Sequence, residues 1–246
     1  MLGIIPAAGL GSRLQPLGCS KELLPVGRSH DGGAPKAVIE FLLERMLLAG
    51  ADRICIVISG EKTDIVRYLA RSTWPAFLFF VAQPQPRGLC DAVFRAMPWV
   101  RADEPVLMGL PDTVWFPGDA FCRVPDETLH LITFPVDRPD QFDAVRCTCP
   151  GIVERVEVKC DGAPGRRVWG AITGPGVTWL RLHQLWLARA SRDIFLGHLL
   201  NAWLERGELL SADETGEEYL DVGTLRGYQK AQWRLEAWQP TVDSAS

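Results

Sequence analysis

The sequence has no CxxC pair, although it carries seven cysteines, at 19, 55, 90, 122, 147, 149 and 160. That odd, scattered set argues against a disulfide framework or a cysteine-rich zinc site and implies free thiols in a reducing compartment. Histidine is scarce: His30, His130, His183 and His198 show no metal-ligand spacing. Positive charge is not in excess. The 26 Lys+Arg against 30 Asp+Glu give a net charge of -4, so the electrostatic footprint of a nucleic-acid binder is missing. No apolar run reaches the ~18 residues that a bilayer span needs, and with the first strand beginning at Leu2 the expectation is that no signal peptide precedes it. The expectation is a cytoplasmic protein with neither a nucleic-acid nor a membrane partner. Internal repeats and low-complexity linkers are also lacking.

What is present is enough apolar material for a sizeable core: 47% of 246 residues. The first half alternates two patterns. Leu2–Ile5, Arg53–Ser59, Phe77–Ala82 and Pro105–Leu110 are apolar on both parities, as strands covered on two faces are. Between them, Pro35–Ala49, Glu61–Arg71 and Gly88–Met97 have helical spacing, with Pro35 suited to a first turn and Gly50 to an exit. The alternation predicts an α/β fold with a mainly parallel central sheet and helices on both faces. From about residue 128 to 173 the pattern is β-rich, with strands at Leu129–Pro135, Val145–Cys149, Gly151–Lys159 and Arg167–Thr173. This reads as a small sub-lobe. Helices return at Val177–Ala190, Asp193–Arg206 and Leu225 to about Trp238, with a short strand and turn at Glu218–Thr224. One domain over 1–238 and a frayed tail, 239–246, complete the outline. Tryptophans at 179, 186, 203, 233 and 238 lie on the late helices, where helix packing or a subunit interface explains them better than a carbohydrate platform does.

The stretch Leu2–Val26 carries the chemistry. A strand runs into the small-residue loop Pro6–Arg13, followed by Lys21. Glycine lets backbone N–H groups approach a phosphate closely, and Arg13 and Lys21 can neutralise it. The loop is not a dinucleotide motif, because GxGxxG from Gly9 requires glycine where Leu14 stands, and no GxxxxGK[ST] occurs. Two more loops, Gln83–Gly88 and the one at Asp112, also follow strands directly, and ligands bind at the carboxyl ends of such strands.

The string GLGSRLQPL (9–17) followed by SKELLPV (20–26) resembles the sugar-1-phosphate nucleotidylyltransferases, most of all the glucose-1-phosphate thymidylyltransferases. Ser20 stands where that family usually has proline, and the loop Arg28–Ala34 is longer than in its commonest members. Gln83-Pro84-Gln85-Pro86-Arg87-Gly88-Leu89 resembles the family's base-recognition segment. Leu110-Pro111-Asp112 and Tyr219–Thr224 resemble the two segments that carry its metal-binding aspartates. Val156-Glu157-Val158-Lys159 resembles the sugar-phosphate segment, with Val158 in place of an acid and Cys160 in place of a proline. Phe142-Asp143 stands where an aromatic residue is usually followed by glycine. In many members further helices after the last motif serve oligomerisation and feedback control, and the expectation here is that feedback control is not inherited.

The resemblance implies a three-layer, Rossmann-like nucleotidyltransferase fold and a reaction in which a sugar-1-phosphate oxygen attacks the α-phosphate of a nucleoside triphosphate. It implies Mg2+ held by Asp112 and Asp221; catalytic roles for Arg13, Lys21 and Asp112; and a nucleotide site from Ala8, Gly9, Gly11, Ser12, Arg13, Gln83 and Gly88. Glu157, Lys159 and Gly170 fall to the sugar phosphate. Both reactants are anions, so a metal on one or two carboxylates and a pair of cations suits the charge to be screened. The expected substrates are dTTP or UTP and glucose-1-phosphate, small-molecule partners, with a homo-oligomer left open. Two alternatives stay open: a CTP- or GTP-dependent transferase acting on another phosphorylated substrate, such as phosphocholine, and a non-catalytic nucleotide-binding homologue.

Overall fold

In a computed structural model of the protein the described residues are 1–14, 16–27, 35–123, 127–149, 151–162 and 165–237. The inserted loop 28–34 and the tail 239–246 singled out above lie outside them. The chain opens with β1 (Leu2–Pro6), a two-stranded ribbon of β2 (Pro25–Val26) and β3 (Lys36–Ala37), and α1 (Val38–Leu48). β4 (Arg53–Ile58), α2 (Thr63–Leu69), β5 (Phe77–Ala82), α3 (Leu89–Phe94) and β6 (Pro105–Gly109) continue the alternation. Then come β7 (Thr113–Phe116), β8 (Leu129–Pro135), β9 (Asp143–Cys149), β10 (Ile152–Val158) and β11 (Arg167–Pro175). The remainder is α4 (Gly176–Ala188), α5 (Leu196–Glu205), β12 (Leu210–Asp213), β13 (Glu218–Asp221) and α6 (Leu225–Ala237).

Nine strands form one sheet in the order β5-β4-β1-β6-β11-β8-β12-β10-β9. The sheet is parallel across β5, β4, β1 and β6, as the alternation predicts. Beyond β6 it is mixed: β11 runs antiparallel to β6 and β8, β12 parallel to β8, and β10 antiparallel to β12 and β9. The β-rich stretch 128–173 therefore supplies four strands to the main sheet rather than building a sheet of its own, because β11 pairs with β6 on one side and with β8 on the other. β7 and β12, four residues each, were not anticipated; short runs beside Pro111-Asp112 and Gly207 resemble turns.

Burial explains the two-sided apolar strands. On β4, Cys55 and Val57 enter one core with Val93, Phe94, Leu182 and Leu199 of α3, α4 and α5. Ile54 and Ile56 enter the other with Leu42, Met46 and Ile65 of α1 and α2. The period of two thus distributes one strand between two helical layers. A third, smaller cluster joins Val26, Val38, Val114, Leu220, Ala231 and Leu235 under α6. Trp179, Trp186 and Trp203 are buried in the first core, whereas Trp233 is 72% exposed. No helix among the described residues is long and apolar enough to cross a membrane. Strand order reverses at β1, whose neighbours are β4 and β6, and ligands of open α/β sheets bind at that kind of point.

Candidate active site

The loop after β1 rests on a buried ion pair. Ala7 N–H still pairs with Val57 O at 2.7 Å, and the Ala7 carbonyl accepts from Lys62 Nζ at 2.8 Å. Lys62 also donates to both oxygens of Glu22, at 2.8 and 2.7 Å. Burial pushes Glu22 up and Lys62 down in pKa, and the pair compensates the two desolvated charges. Glu22 is the neighbour of Lys21, so one buried contact fixes the loop backbone and the segment that carries the lysine. Ser20 adds a second tether: its N–H and Oγ each donate to Asp64, both at 2.7 Å. A proline at residue 20 has no N–H to give. Leu14 N–H closes on Gly11 O at 3.0 Å, so Ser12–Leu14 forms one 3-10 turn and Arg13 emerges from it.

The two candidate metal aspartates, 109 residues apart, meet through β7. This strand follows Asp112 directly and pairs antiparallel with β13, with Asp221 opposite Thr113. Val222 N–H donates to the Asp112 carbonyl at 2.9 Å. A Cβ placed on Gly223 would lie 2.8 Å from Asp112 Oδ2, 2.8 Å from Asp221 Oδ1 and 3.2 Å from Arg13 Nη2. Both carboxylates and the arginine therefore converge on one point. Lys21 Nζ sits 2.5 Å from Asp112 Oδ2, and Arg13 Nη1 3.4 Å from Asp221 Oδ2. Burial opposes both members of the Lys21–Asp112 pair, but their mutual attraction prevails. It holds Lys21 above and Asp112 below their ordinary pKa values. Asp221, pushed by burial and by Asp112, is raised.

Two carboxylates within reach of one point suit a small divalent cation that takes its remaining ligands from phosphates and water, which is how Mg2+ is usually held. Among the described residues there is no cluster of three or more His, Cys, Asp or Glu side chains fit for a metal, so the donor set is not that of a closed structural site.

A cleft of about 390 Å³ runs from Asp112 to the Gln83–Gly88 loop, lined by Ala8, Gly9, Gly11, Lys21, Gln83, Gly88 and Asp112. At its far end the Gln83 side chain is buried. Its amide nitrogen donates to Gly88 O at 3.1 Å and to Asp91 Oδ2 at 2.8 Å. The Asp91 carboxylate, itself held by Arg95 at 3.1 Å, fixes which way the amide points. Both amide hydrogens are committed, and the acceptor oxygen is left for a ligand. Gly88 has φ +97° and abuts Ile194, whose Cγ2 lies 2.4 Å from where a Cβ would stand, so no side chain fits there.

The third group is arranged differently from expectation. Strict alternation puts Glu157 and Lys159 on one face of β10. The pairing is regular from Arg155 to Val158, but Lys159, just beyond the end of the strand, has φ +44° and leaves the extended alternation. Glu157 lies opposite Ala144 and reaches Arg146 at 3.5 Å; its Oε2 is buried with no partner. Lys159 Nζ lies 4.4 Å from the centre of the Phe195 ring instead. Gly170 contributes space rather than contact: a Cβ there would stand 2.5 Å from Tyr219 and 2.8 Å from Phe134. Asp143 pairs across the strands with Val158; burial raises its pKa against the pull of Lys159.

Glu22, Lys62, Asp64 and Asp91 were not found from sequence. Each looks like an ordinary surface charge, and only Glu22, inside the SKELLPV string, carried a local signal.

Residues 2–145 match the Nucleotidyl transferase family. A UTP–glucose-1-phosphate uridylyltransferase of Streptococcus pyogenes serotype M1 is 33% identical over 132 residues, which cover 44% of this chain and 42% of that protein. One from Streptococcus pneumoniae serotype 4 is 31% identical over 134 residues, with the same coverage of 44% and 42%. The chain thus spans less than half the length of the curated relatives it matches. Among solved structures, a Bacillus anthracis protein assigned as a glucose-1-phosphate thymidylyltransferase superposes with a TM-score of 0.82 at 22% identity, over 97% of each chain. UDP-glucose pyrophosphorylase from Acinetobacter baumannii gives 0.80 at 21% identity, over 97% of this chain and 94% of that one. At these identities the likeness is one of fold.

Proposed function

The chain belongs to the nucleotidyl transferase family, and from that membership and the site's geometry we propose that it couples UTP or dTTP to glucose-1-phosphate, releasing pyrophosphate. The observation that carries the reading is the convergence of Asp112, Asp221 and Arg13 beside a glycine loop, at the point where strand order reverses.

The triphosphate lies along Gly9–Arg13, with Arg13 gripping its oxygens through a fork of donors and Lys21 serving as a point charge toward the leaving pyrophosphate. The Gln83 oxygen accepts the imide N–H of uracil or thymine. Lys159 receives the phosphate of the sugar, and Glu157 takes a sugar hydroxyl. Asp112 and Asp221 would hold a divalent cation such as Mg2+, which supplies charge neutralisation for the two anionic reactants. The attacking oxygen belongs to a phosphate already ionised near neutral pH, so no general base is needed. Rate enhancement then comes from positioning and electrostatics. A cytoplasmic setting accords with seven cysteines that are all unpaired.

The test is a pyrophosphate-release screen of UTP, dTTP, CTP, GTP and ATP with Mg2+ against a panel of sugar-1-phosphates. Release with a uracil or thymine nucleotide and glucose-1-phosphate is expected; no release with any pair, despite nucleotide binding, overturns the reading.

A further inference from the structure

Two residues at the acceptor end of the site break local rules of chain chemistry. Lys159 adopts φ +44°, in the left-handed region that favours glycine or asparagine. Phe195 occupies the N-cap of α5, where Ser, Thr, Asp or Asn would bind an orphan helix N–H. It makes no side-chain cap and is 37% exposed. Neither residue type is the local preference for its position, and departures from local preference occur at functional positions. The two meet: Lys159 Nζ lies 4.4 Å from the ring centre of Phe195. Both partners are tethered. The Lys159 N–H donates to Phe142 O at 3.0 Å, and His198, one turn along α5, meets the Phe195 ring edge-on at 5.9 Å and 60°. The segment is also joined to the nucleotide end, since Leu89 N–H donates to Ile194 O at 2.9 Å.

We propose that Phe195 is a positioning residue for the phosphorylated acceptor, its ring holding the Lys159 ammonium in place until a phosphate monoester takes it. An aromatic face suits this task better than a carboxylate. It attracts the ammonium through its quadrupole without cancelling the positive charge, and it adds no anion to Asp143, whose carboxyl already feels Lys159. The contact is weak enough to be exchanged for a phosphate and strong enough to limit where a flexible four-carbon chain can wander. The inference rests on the role proposed above for Lys159.

The experiment is steady-state kinetics of the full chain with UTP and glucose-1-phosphate, together with direct titration of glucose-1-phosphate. Phe195→Leu raises KM and the dissociation constant for glucose-1-phosphate roughly two- to fivefold, the scale of an exposed cation–π contact, and leaves KM for UTP and kcat near their starting values. Phe195→Trp, which keeps a π face, restores the affinity. In a Lys159→Ala background the Leu substitution adds nothing. Equal losses for both substrates, failure of Trp to restore, or an undiminished effect without Lys159 overturns the proposal. The titration separates this outcome from failure of the functional reading, because it reports the Phe195–Lys159 coupling even if no nucleotide is turned over.

Discussion

Lys21 Nζ lies 2.5 Å from Asp112 Oδ2, joining the segment after the glycine loop to the end of β6 across 91 residues of sequence. Each charge keeps the other ionised in a buried setting. The same carboxylate oxygen faces the point shared with Asp221 and Arg13. On the proposed reading the lysine would stand in for the charge of a divalent cation on Asp112 and would turn to the triphosphate once that cation was bound.

Asp112→Asn tests this directly. Removing one of two cation-binding carboxylates lowers kcat by roughly a hundredfold or more, the scale of several kcal/mol of charge stabilisation. Circular dichroism should show an intact fold, since the β7–β13 pairing relies on the Asp112 backbone rather than its side chain. In the wild type, chelation with EDTA should stop pyrophosphate release and added Mg2+ restore it. A variant that turns over like the parent removes Asp112 from the metal site.

Arg13→Lys keeps the charge and loses the fork. Arg13 is 58% exposed at its side chain and held to Asp221 only at 3.4 Å, so little of the fold depends on it. A drop in kcat/KM for the nucleotide of about tenfold, with an unchanged melting temperature, is the expected result. Loss of stability without loss of activity would mark Arg13 as structural.

For Gln83, the prediction concerns the base. Gln83→Ala removes the acceptor and leaves Asp91 without one of its donors. KM for UTP should rise by about tenfold, with some cost in stability from the buried carboxylate. KM for glucose-1-phosphate should stay put. If both substrates suffer alike, the residue is a brace and not a reader of the base.

Ser20 and Asp64 set a pH dependence. Burial works to raise Asp64, but the N–H and Oγ of Ser20 outweigh it and hold the carboxyl below its ordinary 3.8. A carboxylate depressed by folding contributes stability that is complete above its unfolded pKa and is lost as pH falls through the folded value. Chemical-denaturation midpoints should thus decline for the wild type below about pH 4, and Asp64→Asn should be less stable at pH 7 with a shallower acid limb. Ser20→Pro, which brings the segment closer to the usual family string, should lower stability because both bonds vanish. An acid limb identical in wild type and Asp64→Asn contradicts the assignment.

Much of this site was legible in the sequence because its parts sit in contiguous strings with chemical meaning. Gly9–Arg13, Lys21, Gln83–Gly88, Asp112 and Asp221 all follow strands or turns that local pattern identifies. What joins them is not local. The pairing of Asp221 with Thr113 depends on β7, a four-residue strand behind a Pro-Asp turn. The buried Glu22–Lys62 pair spans 40 residues, and its members look solvated until the fold encloses them. The Glu157–Lys159 geometry escaped because Lys159 takes a left-handed backbone conformation that interrupts the period of two on which side-chain parity relies. Likewise, the antiparallel insertion of β11 between β6 and β8 is a long-range choice that alternation in the first half does not reveal.

The measurement that bears most directly on the central claim follows phosphorus. UTP labelled at the α-phosphate is incubated with the protein, glucose-1-phosphate and Mg2+, and the products are separated. Nucleotidyl transfer predicts that the α-label enters a nucleotide sugar while a γ-label leaves in pyrophosphate. Label found in UMP, with the sugar phosphate unchanged, would mean that water and not the sugar phosphate is the nucleophile, and label found in UDP would contradict attack at the α-phosphate; either outcome overturns the account of the site.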